Sequence, residues 1–160
     1  MKFETSQVSD GVAGEAERRS QMAIVAKASR QELAEGLAAA GLADAPIRDV
    51  RPAEVGLVMV RGRQGGQGNA FNLGEATVTR ACVQTEAGHV GVAYILGRCP
   101  ERARLAAAVD AHWQDSNCRE AISAHVLAPV ATRLQAEQEQ RRNETAATAV
   151  DFYTMVRGDD

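Results

Sequence analysis

Three consecutive segments rich in β-branched and apolar residues, 55–62, 74–86 and 89–97, lie between two stretches dominated by helix-forming residues. That order constrains the fold more than any other feature of the chain. Val55 to Gly62 is mostly apolar, and Gly74 to Glu86 carries Thr77, Val78, Thr79, Cys82, Val83 and Thr85. His89 to Gly97 carries Val90, Val92, Tyr94, Ile95 and Leu96. Runs of this composition, bounded by Gly, Asn and Pro, read as strands. Strands grouped together, with helices before and after, predict an α+β fold: a small antiparallel three-stranded meander flanked by N- and C-terminal helices.

The second and third strands are separated only by Glu86-Ala87-Gly88-His89, which predicts a hairpin with Gly88 at a positive φ. With Ala87-Gly88 as a two-residue loop, Val92 faces Val83, Tyr94 faces Ala81 and Leu96 faces Thr79. That face is apolar and is expected to be the core side. The opposite face pairs Cys82 with Ala93 and Arg80 with Ile95, and reads as the wetter one.

On the N-terminal side, Glu15 to Gly41 is rich in Ala, Glu, Gln, Arg and Leu. Ser29 with Glu32 has capping-box spacing, and Gly41 suits a helix C-terminus, so two short helices or one kinked helix are expected. Met1 to Gly14 has no clear period and reads as a flexible arm, leaving 15–160 as one domain. Pro46 and Pro52 bracket a connector. On the C-terminal side Pro100 opens an Ala-rich helix with Glu101 near its start. Ser116-Asn117 interrupts it, a short helix follows over 120–127, and Pro129 opens a long polar helix over about 130–149.

Composition narrows the function. In 160 residues, Lys plus Arg is 18 and Asp plus Glu is 21, for a net charge of −3, and 45% of residues are hydrophobic. A disordered chain lacks that apolar content. A mildly acidic balance argues against nucleic acid or an anionic membrane as the main partner. The three cysteines, Cys82, Cys99 and Cys118, have no CxxC spacing, so neither a disulfide framework nor a zinc cluster is indicated. No signal core is evident near Met1, and a cytoplasmic location is the expectation.

Few residues suggest chemistry. Arg61-Gly62-Arg63-Gln64-Gly65-Gly66-Gln67-Gly68 joins the first two strands. Its glycines let backbone N–H groups approach an anion, and its arginines can fork onto phosphate. The competing reading, which the residues alone favour, is a long flexible hairpin tip, and the segment is not a P-loop, since no Gly-Lys-Ser/Thr follows. Arg61, Arg63, Gly65, Gly66, Gly68 and Arg80 are therefore candidate anion-binding residues. Arg80 is mid-strand, where it either pairs with a carboxylate or reaches a partner or anion. His89, His112 and His125 have no metal-ligand spacing. No serine sits in a G-x-S-x-G turn and no nucleophile can be matched with a base, so no catalytic residue and no metal site are assigned. In the tail, Phe152, Tyr153, Met155 and Arg157 are residue types enriched at interfaces. They are candidate interface residues, or a tail packed back on its own domain.

Taken in order, several segments resemble the PhnG family, the G component of the bacterial carbon–phosphorus lyase core complex. They are Glu54-Val55-Gly56-Leu57-Val58, Arg63-Gln64-Gly65-Gly66-Gln67-Gly68, Phe71-Asn72-Leu73-Gly74-Glu75-Ala76-Thr77-Val78-Thr79-Arg80-Ala81, Tyr94-Ile95-Leu96-Gly97-Arg98 and the tail from Val150 to Asp159. The resemblance covers the chain from about residue 18 onward. Gln21, Cys99 and Tyr153 depart from it, standing where Trp, Asp and Phe are usual. The resemblance implies partnership with subunits H, I and J and with an ATPase-like subunit. It implies a role in attaching alkylphosphonate to C1′ of the ribose of ATP with loss of adenine, the nucleosidase chemistry residing in the I component. It implies no cofactor in this chain, ATP and phosphonate being substrates of the complex. It transfers no catalytic residue. The competing expectations are a stand-alone phosphate- or nucleotide-binding enzyme using the Gly/Arg loop, and a structural homodimer.

Overall fold

The capping box at Ser29 divides the N-terminal helical region. The Glu32 amide donates to Ser29 Oγ at 3.1 Å, and the Ser29 amide donates to Glu32 Oε2 at 2.7 Å. A computed structural model describes residues 6–65 and 67–148, with side chains from residue 14 onward. In it α1 spans Ser6–Val25 and α2 spans Arg30–Ala39. The helix reaches back to Ser6, so the expected loose arm over 1–14 is corrected there. The physical reason is that Ser, Gln, Asp and Ala are all compatible with a helix, and the two glycines, Gly11 and Gly14, do not break it. At the end of α2, Gly41 has φ +72°, and the Leu42 amide donates to the Leu37 carbonyl at 2.8 Å. That is the left-handed closing turn expected of a C-terminal glycine.

Strands β1 (Ile47–Arg63), β2 (Ala70–Thr85) and β3 (Val90–Leu96) form one antiparallel sheet in the order β1-β2-β3. Helix α3 (Pro100–Trp113) packs on it, followed by α4 (Ser116–Ile122), a π-helical turn (Ser123–Leu127) and α5 (Ala128–Ala147). The expected α+β meander is what forms. Pro129 lies in the first turn of α5, as expected, and α5 follows the π-helical turn without a break. The Ala128 amide bonds back to the Ser123 carbonyl, and this wider turn carries the helical path past the proline, which has no N–H to donate.

The hairpin register differs from expectation by one residue. Thr85 bonds through its amide to the His89 carbonyl at 3.0 Å, so the loop is Glu86–Gly88, three residues, with Gly88 at φ +92°. Arg80 therefore faces Tyr94, Ala81 faces Ala93, and Cys82 faces Val92. A one-residue slip inverts a strand. Thr79, Ala81 and Val83 do point to the core, but their partners there are Ile95, Ala93 and Gly91. Tyr94 and Leu96, expected inside, are exposed.

The core lies between that face and the helices: Val83, Ile95, Val109, Ile122, Val126 and Val130 are almost fully buried, beside Leu33 and Leu37. Its middle layer is alanine, with Ala103, Ala106, Ala107, Ala108 and Ala111 on α3 all buried. Small side chains bring α3 so close to β3 that a Cβ on Gly91 would lie 2.0 Å from the Ala107 carbonyl oxygen. Buried Thr79 fixes the turn between them: its Oγ1 donates to the Gly97 carbonyl at 2.6 Å and accepts from the Cys99 amide at 2.9 Å.

Candidate functional site

Unequal strand lengths create the most unusual surface. β3 pairs only with Val78–Gln84 of β2, while β1 and β2 stay paired from Leu57/Thr77 to Arg63/Ala70. The seven residues from Leu57 to Arg63 therefore run past the third strand by about 23 Å, as a two-stranded ribbon. A lone two-stranded ribbon is only marginally stable in water. This one is also apolar. Leu57 is 61% exposed, Met59 52%, Phe71 47% and Leu73 63%, with Val58 and Val60 exposed as well.

Both ribbon faces carry apolar groups, because Leu57 and Met59 alternate with Val58 and Val60 along β1. A register shift between Val60 and Arg61 leaves Leu73 as the extra residue of β2. Leu73 folds across the opposite strand onto Gly62, where a Cβ would come within 2.6 Å of its Cδ1. Covering Leu57, Met59, Phe71 and Leu73, each already about half buried, is worth roughly 1 kcal/mol apiece. The ribbon thus lacks its other half within the described residues.

The Gly/Arg segment is the ribbon's tip. Arg61 and Arg63 are exposed residues of β1 on the same strand face as Leu57 and Met59. Gly65 has φ +60°, and the Gly68 amide donates to the Gln64 carbonyl at 3.0 Å. A Cβ on Gly68 would meet that carbonyl oxygen at 2.6 Å, so the turn requires glycine there. Gly66 lies outside the described residues, as do Phe152, Tyr153, Met155 and Arg157.

Arg80 is not brought to this tip. It sits opposite Glu54, eight positions along β2 from the Asn72 that faces Arg61, a separation of about 26 Å. Its Nη2 donates to Glu54 Oε2 at 3.0 Å and its Nε to the same oxygen at 3.2 Å. Of the two readings left open for Arg80, pairing with a carboxylate is the one the geometry realises.

One polar cluster escaped sequence reasoning. Asp110 is 1% exposed within the alanine layer of α3. Its Oδ1 accepts from Arg18 Nε at 2.9 Å and Gln21 Nε2 at 2.9 Å; its Oδ2 accepts from Arg18 Nη2 at 2.7 Å and the Val92 amide at 2.9 Å. The carboxylate holds the Arg18 guanidinium above its ordinary pKa, burial opposing it. This cluster, of which Gln21 is a member, ties α1, α3 and β3 together. The signal available was a lone acidic residue inside an alanine run. Both carboxylate oxygens are fully engaged, while the buried Gln21 Oε1 has no partner among the described residues.

Among the described residues the histidines form no ligand set, although His89 lies near enough to His112 to act on it. His112 is buried, and burial pushes its imidazole below the usual range, with Asp115 pulling the other way and His89 adding to the depression. Among the described residues no group of three His, Cys, Asp or Glu side chains is placed to hold a metal ion. The three cysteines are free thiols, and burial pushes the Cys118 thiol up, with Asp115 adding to it. Among the described residues no helix is long and apolar enough to cross a membrane.

Comparison with known proteins supplies a family for this chain. The family model for phosphonate metabolism protein PhnG matches residues 16–158. One relative, the alpha-D-ribose 1-methylphosphonate 5-triphosphate synthase subunit PhnG of Rhizobium meliloti (strain 1021), is 50% identical over 149 residues, covering 92% of this chain and 94% of that protein. With the family model spanning residues 16–158 and the relative matching over 92% of the chain, this chain belongs to the PhnG family.

Proposed function

We propose that this chain is a non-catalytic, essential subunit of an alpha-D-ribose 1-methylphosphonate 5-triphosphate synthase, acting in the cytoplasm. In that role it supports transfer of alkylphosphonate to C1′ of the ribose of ATP with release of adenine. Its partners are subunits H, I and J of the carbon–phosphorus lyase core and an ATPase-like subunit. The observation that carries this reading is the overhanging ribbon, with Leu57, Met59, Phe71 and Leu73 exposed beyond the third strand. A chain that keeps such a surface needs another protein to cover it. The relative's name supports the choice of assembly.

The ribbon also explains how a subunit without a nucleophile helps chemistry. It carries Arg61 and Arg63 away from this chain's own core. Same-face neighbours on a strand are about 6.6 Å apart, so the two guanidiniums can engage separate oxygens of a polyphosphate. Presented at a partner's active site, they hold triphosphate or phosphonate oxygens while that partner breaks the bond to adenine.

The test is a ribbon variant, Leu57→Asp with Met59→Asp, co-expressed with the other core subunits. Both side chains are exposed, so the isolated fold is expected to survive. Loss of co-elution with an unchanged melting temperature supports the reading. Undiminished co-elution and full turnover overturn it, as does turnover of ATP with phosphonate by the lone chain.

A further inference from the structure

The free edge of β3 has a feature that the ribbon does not share. Backbone bonds join the Thr85 amide to the His89 carbonyl at 3.0 Å and the Gly97 amide to the Thr77 carbonyl at 2.8 Å, which marks both as hydrogen-bonded pairs of the ladder. Counting by twos between them, Ala81–Ala93 and Thr79–Ile95 are bonded in the same way. The N–H and C=O groups of Val90, Val92, Tyr94 and Leu96 therefore point away from the sheet. Two of these residues are already served by side chains. The Val90 carbonyl accepts from Arg18 Nη2 at 3.3 Å and Gln114 Nε2 at 2.8 Å, and the Val92 amide donates to Asp110. The protection stops there. Among the described residues nothing bonds the edge groups of Tyr94 and Leu96, which are 60% and 71% exposed.

Beside this open half of the edge lies a groove of about 310 Å³ between α1 and β3. Met22, Ala23 and Ala26 line one wall, Ala93 and Ile95 the other, with Ala106 at the floor. A strand added at the usual spacing of about 4.8 Å would set its inward side chains over this groove.

We propose that the Tyr94–Leu96 edge of β3 is a β-augmentation site that receives an extended segment of another subunit of the assembly. The occupant's chemistry follows from the two features together. Alternating N–H and C=O groups in line call for extended backbone, and a groove walled by Met, Ala and Ile calls for an aliphatic side chain on its inward face. The small alanines of α1 and α3 leave the room. The Arg18–Asp110–Gln114 set fixes where the added strand must stop, at Val92. The proposal rests on the subunit reading above but names a surface separate from the ribbon.

The experiment is amide hydrogen exchange on the full chain, alone and in the assembly reconstituted with the other core subunits. The Tyr94 and Leu96 amides are expected to exchange quickly in the free chain and at least 100-fold more slowly in the assembly. A paired variant gives an independent readout. Tyr94→Pro removes the outward N–H, Tyr94→Ala retains it, and retention in the assembly is expected to fall at least tenfold further for the proline. Protection of ribbon amides without protection of Tyr94 and Leu96 overturns this inference while leaving the subunit reading intact. Protection at neither place overturns both. Protection that appears in the isolated chain as its concentration rises would assign the edge to a second copy, and overturns it too.

Discussion

Removing either member of the Arg18–Asp110 pair should destabilise the fold, each by stranding a different buried group. Asp110→Ala deletes four acceptor contacts at once, to Arg18 Nε and Nη2, Gln21 Nε2 and the Val92 amide. The donors are not equally harmed. Arg18 keeps 33% of its side chain exposed and can turn to water. Gln21 is 3% exposed and cannot. Stranding a buried amide costs about 1–3 kcal/mol. The Val92 N–H adds about 1 kcal/mol, and the lost charge-assisted bonds to Arg18 bring the total to roughly 3 kcal/mol, the low end for breaking a buried pair. For a domain of this size, that lowers the melting temperature by roughly 6–12 °C. Arg18→Ala should also cost roughly 3 kcal/mol, because it strands a carboxylate that is 1% exposed with only neutral amide donors. Urea unfolding of both single variants and the double variant gives the coupling energy, expected to be at least about 1 kcal/mol. An Asp110→Ala cost below about 1 kcal/mol, or strict additivity with Arg18→Ala, would refute the claim that this carboxylate joins α1, α3 and β3.

Three further outcomes follow from other parts of the molecule. Gly91→Ala pushes a methyl into the α3 backbone, so a loss of at least about 3 kcal/mol in urea unfolding is expected, whereas Gly56→Ala, where a Cβ meets nothing within 4 Å, should cost under about 1 kcal/mol. Stability should fall as pH drops below 6.5, because burial keeps His112 neutral in the fold while the unfolded chain takes up the proton. A second fall should follow below 4.5 as Glu32, held low chiefly by its bond from Arg133, finally protonates and loses that contribution; urea midpoints from pH 8 to 3.5 check both, and a rise on acidification would contradict them. Arg61→Ala with Arg63→Ala should leave co-elution and melting unchanged but slow adenine release by the reconstituted synthase at least tenfold, and unaltered kinetics would remove the arginines from the reaction.

Local signals are legible in the sequence, and long-range ones are not. Ser29, Glu32, Gly41, Gly88 and Pro100 each act through bonds or dihedrals within a few residues, and each forms the feature its sequence context predicts. The β2–β3 register fails because two- and three-residue loops both suit Ala87-Gly88, and only packing against α3, where Gly91 must face Ala107, decides between them. The full length of β1 is hidden by residues that usually end strands. Pro52 and Gly62 bound the expected β1, yet Pro52 sits in an edge strand at a register shift and Gly62 serves the Leu73 contact. Asp110 stands out as odd within an alanine run, but its partners Arg18 and Gln21 are 92 and 89 residues away. The candidate anion residues divide in placement: Arg61 and Arg63 share a tip, while Arg80 is bonded to Glu54 elsewhere.

Omission and add-back in a reconstituted synthase tests the central claim most directly, with adenine release from ATP and methylphosphonate as the readout. The account requires no release from this chain alone, none from the remaining subunits without it, and recovery when the full chain is returned. Release by the isolated chain, or an undiminished rate in its absence, would contradict it.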